Sequence, residues 1–190
     1  AERLERLANE LPVESKFERL SQAYFDLRYE EQLAAPVGFD VREALMKARR
    51  DVGSDFAYWP KYKIIVLLYS PESFRALRAE TPEWVAGQFD GKIRIPVPGG
   101  QLAPAEVTRI IFHEYTHAVV SHTSKLAHGG QSGALNEHLA DVFGATIRAY
   151  YDAGYPKPFL IGDTVVRGAT AAKAEALRDM EHPDKGLVKQ

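Results

Sequence analysis

His113 and His117 stand four residues apart with Glu114 beside the first, inside the run FHEYTHAVVSHTSKLAHGGQSGALNEHLAD (112–141). That run holds five of the six histidines in the chain. On a helix of 3.6 residues per turn, the two imidazoles project from one face, one turn apart. They can meet a single tetrahedral ion at about 2.0–2.1 Å. Glu114 lies about 100° further round the same helix, so it borders the ion without having to bind it. A carboxylate there can take a proton from water held at the metal. This H-E-x-x-H spacing suits metal-assisted hydrolysis. If no metal binds, both histidines are ordinary residues of an amphipathic helix.

Two histidines do not complete a catalytic zinc site, which needs a third protein ligand and one open position. The run GALNEHLADVFG supplies Glu137 from a helix of its own. Leu135, Leu139, Val142 and Phe143 are expected to pack inward and so turn Glu137 towards the metal. Asp141 lies one turn further on the same face as Glu137. There it can accept the free N–H of His113, fixing the tautomer and orientation of the ring. His122 and His138 read as surface residues.

These residues need elements to hold them. Apolar residues at helical spacing from Glu2 to Gln32 predict two helices divided at Pro12, the second carrying Phe17, Leu20, Tyr24 and Leu27. The stretch AAPVG breaks that pattern, and a further helix is expected over Asp40–Val52. The apolar run Tyr62–Ser70 reads as a buried strand, followed by a short helix over Pro71–Ala79. In GKIRIPVP the alternation of Ile93, Ile95 and Val97 predicts a half-buried strand. Pro96 and Pro98 cannot donate to a ladder, which places that strand at a sheet edge. Long helices follow over about 104–123, 133–151 and 169–180. Strands early and helices late give an α+β domain with a small sheet.

Composition narrows the rest. The 190 residues are 45% hydrophobic and 26% charged with a net charge of −2, enough for one core. No basic block is long enough to track a nucleic-acid backbone. There is no cysteine, so disulfides and thiolate metal sites are excluded and zinc must be held by His and carboxylate. No apolar run approaches the ~18 residues of a membrane span, and no signal-peptide pattern opens the chain.

H-E-x-x-H followed by G-A-L-N-E-x-x-x-D at this spacing resembles the thermolysin-like family of gluzincin metallopeptidases. The likeness covers roughly residues 104–186 and extends to FLIGDTVV and EALRDMEHPDK. It implies a zincin-like fold in which an edge strand lies over the active-site helix and a second ligand-bearing helix follows. It also implies a Zn2+ cofactor on His113, His117 and Glu137, with Glu114 as general base. Asp141 would be the partner of His113, and Asn136 would support the ligand cluster. Arg178 falls on the family arginine that contacts the substrate carbonyl. His128 stands where the family has an oxyanion-binding tyrosine; a histidine could donate the same bond. Arg109 and Arg148 fall where the family has two calcium-binding carboxylates, so that calcium site is expected to be lost.

The N-terminal half instead resembles short peptidase MA-like gluzincin domains, on EWVAGQFDGKIRIPVPGG. In both families the strand before the zinc helix pairs with the substrate backbone, which would give that role to Ile93, Arg94 and Ile95. The mixture fits a compact gluzincin, a shortened chain or an engineered join of two relatives. Residues 1–34 are expected to form a helical extension and 35–190 the gluzincin-type metallopeptidase domain. The expected function is zinc-dependent peptide hydrolysis, acting on a peptide or protein substrate, with a monomer favoured and a secreted or periplasmic setting ahead of a cytoplasmic one. A zinc-stabilised domain with weak or no activity is the alternative. A helical interaction module that binds no metal is a further one.

Overall fold

The computed structural model describes residues 2–33, 35–77, 85–97, 104–127, 129–151, 153–162, 176–182 and 184–186. Its elements in chain order are α1 (Glu2–Glu14), β1 (Glu18–Ser21), β2 (Phe25–Tyr29), α2 (Ala35–Asp55), β3 (Ile64–Tyr69) and α3 (Pro71–Leu77). They continue with β4 (Gln88–Phe89), β5 (Ile93–Pro96), α4 (Pro104–His122), α5 (Gly130–Tyr151), β6 (Leu160–Ile161) and β7 (Arg178–Asp179). Five strands form one mixed sheet in the order β1-β2-β3-β5-β4, and β6 and β7 pair separately. The inner strands β2, β3 and β5 run parallel, and β1 and β4 are antiparallel borders.

The unbroken apolar run of β3 follows from helices on both sheet faces, since successive side chains point to opposite sides. Val66 and Leu68 join the main core with Val41 and Leu45 of α2 and Ile111 and Val119 of α4. Leu67 and Tyr69 point the other way, against Phe17 and against Phe74 of α3. α4 runs through the middle of the molecule, buried from Val107 to Val120, between α2 on one side and α5 on the other. The architecture is the expected α+β arrangement with a small mixed sheet. Among the described residues no helix is long and apolar enough to cross a membrane.

Five local expectations are corrected. The helix read over 17–27 is the β1–β2 hairpin, and β2 pairs in parallel with β3. Phe25 and Leu27 are buried while Leu20 and Tyr24 are about two-fifths exposed, so strand alternation rather than helical spacing decides which residues enter the core. α1 continues through Pro12 to Glu14, and α2 starts at Ala35, so AAPVG opens that helix. A proline is tolerated in the first turn, where its missing N–H has no intrahelical partner.

The strand Ile93–Pro96 is not the edge: β5 pairs with β3 on one side, and β4 covers Ile93 and Arg94 on the other. Beyond residue 175, Arg178 and Asp179 are a strand rather than a helix end. Residues 169–175 of that expected helix lie outside the described residues.

Candidate metal centre

α4 carries His113 and His117 one turn apart, with ring centroids 4.7 Å apart and the rings nearly perpendicular. Their Nε2 atoms approach to 3.1 Å. From α5, Glu137 brings Oε2 to 3.6 Å from Nε2 of His113 and Oε1 to 3.5 Å from Nε2 of His117. One donor atom from each of the three lies within 4.8 Å of the others.

What stands behind the rings decides which nitrogen is free. His117 directs Nδ1 at Oδ1 of Asn136, 2.9 Å away. Nδ1 of His113 lies 3.0 Å from Oδ1 of Asp141, off the line of an ideal N–H···O bond. With a proton on each Nδ1, both Nε2 atoms present lone pairs to each other and to a carboxylate. At this distance the two nitrogens are held together either by a shared proton or by a cation between them. Two nitrogens on one tetrahedral ion at about 2.05 Å would be about 3.3 Å apart, close to the observed separation. The donor set, two neutral imidazoles and one carboxylate, therefore fits a zinc-type cation.

The surrounding charges favour a cation as well. Burial would raise the carboxyl pKa of Asp141, but His113 and Arg178 hold it well below the usual carboxylate range. Arg178 donates from Nε to Oδ2 of Asp141 at 2.5 Å and from Nη2 to Oδ1 at 2.8 Å. The same Nη2 is 3.7 Å from Glu137. In Glu137, burial is outweighed by His113, His117 and Arg178, and its carboxyl is lowered. In the metal-free protein, burial works against protonation of His113, yet Asp141, Glu137 and Glu114 raise it to about 9. The pocket is an electron-rich site that takes up a proton where no metal is present.

Glu114 is 4% exposed, and its Oε2 has no hydrogen-bond partner among the described residues. Burial pushes its carboxyl up to about 7; His113 opposes this and the neighbouring Glu137 carboxylate adds to it. It borders the cluster as the helical geometry requires. A cleft of about 680 Å3 opens over these residues, walled by Gly87, Gln88 and Phe89 along β4, by Ile110 of α4, and by Ile161 and Leu177 at the β6–β7 pair.

The sequence-assigned residues divide into two groups. His113, Glu114, His117, Glu137, Asn136, Asp141 and Arg178 come together. Ile93, Arg94 and Ile95 do not: Ile93 and Ile95 are fully buried, and Arg94 turns to the opposite sheet face, where it binds Glu10 and Glu14 of α1. The free edge belongs to β4, a two-residue strand too short for any periodicity to reveal. His128 lies outside the described residues.

α5 also faces inward differently from expectation. Leu135 and Val142 are exposed, and the buried face is Gly133, Asn136, Ala140, Asp141, Gly144, Ala145 and Arg148 with Ile147. Small residues let α5 approach α4 closely, and polar ones serve the site. Arg109 and Arg148 converge on Glu106, at 2.7 and 4.0 Å. His138 is exposed, and His122 meets Tyr62 at the end of α4.

Several known proteins are similar to this chain. Residues 124–189 match the family described as thermolysin metallopeptidase, alpha-helical domain. A zinc metalloproteinase of Listeria monocytogenes is 46% identical over 77 residues, 40% of this chain and 13% of that protein. A bacillolysin of Bacillus caldolyticus is 33% identical over 103 residues, 54% of this chain and 17% of that protein. The chain thus spans less than a fifth of the length of these two relatives. In fold it is similar to the precursor of protealysin, a metalloproteinase from Serratia proteamaculans, with a TM-score of 0.50 and 16% identity, covering 84% of this chain and 49% of that one. Over its C-terminal region this chain is similar to thermolysin-like metallopeptidases.

Proposed function

We propose that this chain is a zinc-dependent peptidase, with zinc on His113, His117 and Glu137 and with Glu114 as general base. The observation that carries this reading is the approach of the two Nε2 atoms to 3.1 Å, with Glu137 closing the triangle. Bound there, zinc supplies Lewis acidity, polarising a carbonyl oxygen and making water more acidic.

The chain's own residues do the rest. Glu114 takes a proton from the attacking water and returns it to the leaving amine, a role helped by a carboxyl that burial holds near neutrality. A bound dication draws that value down again, so the two effects leave a base that accepts and releases one proton per turnover. Arg178, gripped by Asp141 and lining the cleft, is placed to hold the carbonyl on the leaving-group side. The free edge of β4 would pair with an extended substrate backbone, the strand-addition mode, in place of the Ile93–Ile95 segment. Peptides or proteins are the substrate class.

A second reading has its own support. Among the described residues lining the cleft, no hydroxyl and no imidazole beyond the two ligands is available to the developing oxyanion. A zinc-stabilised domain with weak activity fits that lining, unless His128 supplies the donor. Losing one such donor costs about 10²–10³ in rate.

The deciding experiment is cleavage of a peptide library with and without a chelator, together with zinc analysis of the purified chain. Glu114→Gln should abolish cleavage while about one zinc per chain remains, and His128→Phe should lower kcat if that histidine is the donor. Chelator-insensitive cleavage, or a chain without zinc, would sink the proposal.

A further inference from the structure

Gly87 lies just before β4 on the cleft wall, and its backbone is not left-handed, so no turn requires glycine there. Space does. An ideal Cβ at position 87 would lie 2.6 Å from Oε1 of Glu114, 3.0 Å from its Cγ and 3.0 Å from Cγ2 of Ile110. Contacts below 3.0 Å between such atoms force something to move, and a glycine within a strand region often marks close approach of another group. The bare backbone at Gly87 thus lies directly on the Glu114 carboxylate.

The side chain of Glu114 has little else to hold it. Its Oε2 is buried without a hydrogen-bond partner among the described residues, and the residue is 4% exposed. Van der Waals contact with α4 on one side and with the edge strand on the other therefore sets its rotamer. Any side chain at 87 competes for the volume that the carboxylate occupies.

We propose that Gly87 is a positioning residue for Glu114, keeping the carboxylate pressed against the metal position by offering it a wall without a side chain. The proposal rests on the reading of Glu114 as the base. It makes position 87 a second determinant of turnover, distinct from the ligands, and the only chemistry it requires of residue 87 is the absence of a Cβ.

The test is a cycle of four full-length chains: the unaltered protein, Gly87→Ala, Glu114→Ala and the double variant. Gly87→Ala should lower the melting temperature in the unaltered background, and at least half of that loss should disappear when Glu114 is alanine, because the atoms it strikes are gone. On a fluorogenic peptide, Gly87→Ala should lower kcat about tenfold to a hundredfold, with KM changed less than threefold and zinc content retained, as displacement of a base by a fraction of an ångström predicts. Equal melting-temperature losses in both backgrounds, or no loss in either, overturn the contact and the proposal with it. An unchanged kcat overturns the positioning role. Undiminished cleavage by Glu114→Gln overturns the base assignment beneath it, and the melting cycle, which needs no activity, separates that failure from the other two.

Discussion

At the scale of single residues, the proposed metal centre depends on partners that would bind no metal themselves. Asn136 and Asp141 are buried to 1% and 0% exposure, and each faces the Nδ1 of one ligand histidine. Removing such a partner frees the ring to rotate or change tautomer, and typically costs 10–100-fold in metal affinity. Asn136→Ala should therefore weaken zinc binding about 10–100-fold, measured by competition with a chromophoric chelator. Asp141→Asn should be worse, because Arg178 loses its bidentate carboxylate and His113 the negative charge of its partner. A variant of either kind with unaltered affinity would detach these residues from the site. That His113, His117, Glu137, Asn136 and Asp141 come together was legible from spacing and family pattern, because a helix fixes where i, i+4 side chains point. Gly87 and Ile161 were not, since each reaches the cleft through a long-range contact that leaves no local period.

At the scale of elements, the distance between α4 and α5 sets whether three ligands can share one ion. Gly144 marks the close approach: a Cβ there would sit 3.2 Å from the backbone oxygen of Arg109 and 3.6 Å from Cβ of His113. Backbone cannot step aside as a flexible side chain can. Gly144→Val should therefore cost about 1–3 kcal/mol of stability by overpacking, read from urea unfolding. It should also loosen zinc by drawing Glu137 away from the histidines. Leu135→Ser, on the exposed face of α5, should stay within about 0.5 kcal/mol. The same contrast explains why the inward face of α5 was misread. Of the hydrophobic residues expected to face the core, Phe143 packs against it, but Leu135 and Val142 stay outside and the helix buries chiefly glycine, alanine, asparagine and aspartate. Polarity at a functional face inverts the usual pattern. The β1–β2 hairpin was misread for another reason: Phe17, Leu20, Tyr24 and Leu27 satisfy a helical period by themselves, and only pairing with β3 resolves the ambiguity.

At the scale of the whole molecule, a buried charge cluster fastens the first helix to the sheet that supports the cleft. Arg94 of β5 is 2% exposed; it reaches Glu10 at 2.8 Å and Glu14 at 2.6 Å, while Lys92 meets Glu14 at 2.8 Å and Tyr69 donates to Glu14 at 2.7 Å. Arg94 also pairs in register with Gln88, so the cluster stands directly behind the edge strand that walls the cleft. Burial would raise the Glu14 carboxyl, but Lys92, Tyr69 and Arg94 together hold it below its ordinary value of 4.5. A carboxyl depressed by folding contributes stability that is complete above its unfolded pKa and is lost as pH falls through its folded one. Stability should accordingly be level in this contribution near neutrality and decline once the pH drops below about 4.5. Arg94→Leu weakens that hold. It takes the guanidinium away from two buried carboxylates that Lys92 and the Tyr69 hydroxyl still contact, a change that costs about 3–5 kcal/mol when one partner of a buried pair is removed. Without Arg94, burial is less opposed at Glu14, and its carboxyl binds a proton more readily in the folded state than it does in the unaltered chain. The penalty should be largest at pH 7 and shrink on acidification, which paired urea titrations of the two chains at pH 7 and pH 5 would measure. A penalty of equal size at both values would mean that Arg94 acts by packing alone, and that the ion cluster does not couple α1 to the sheet.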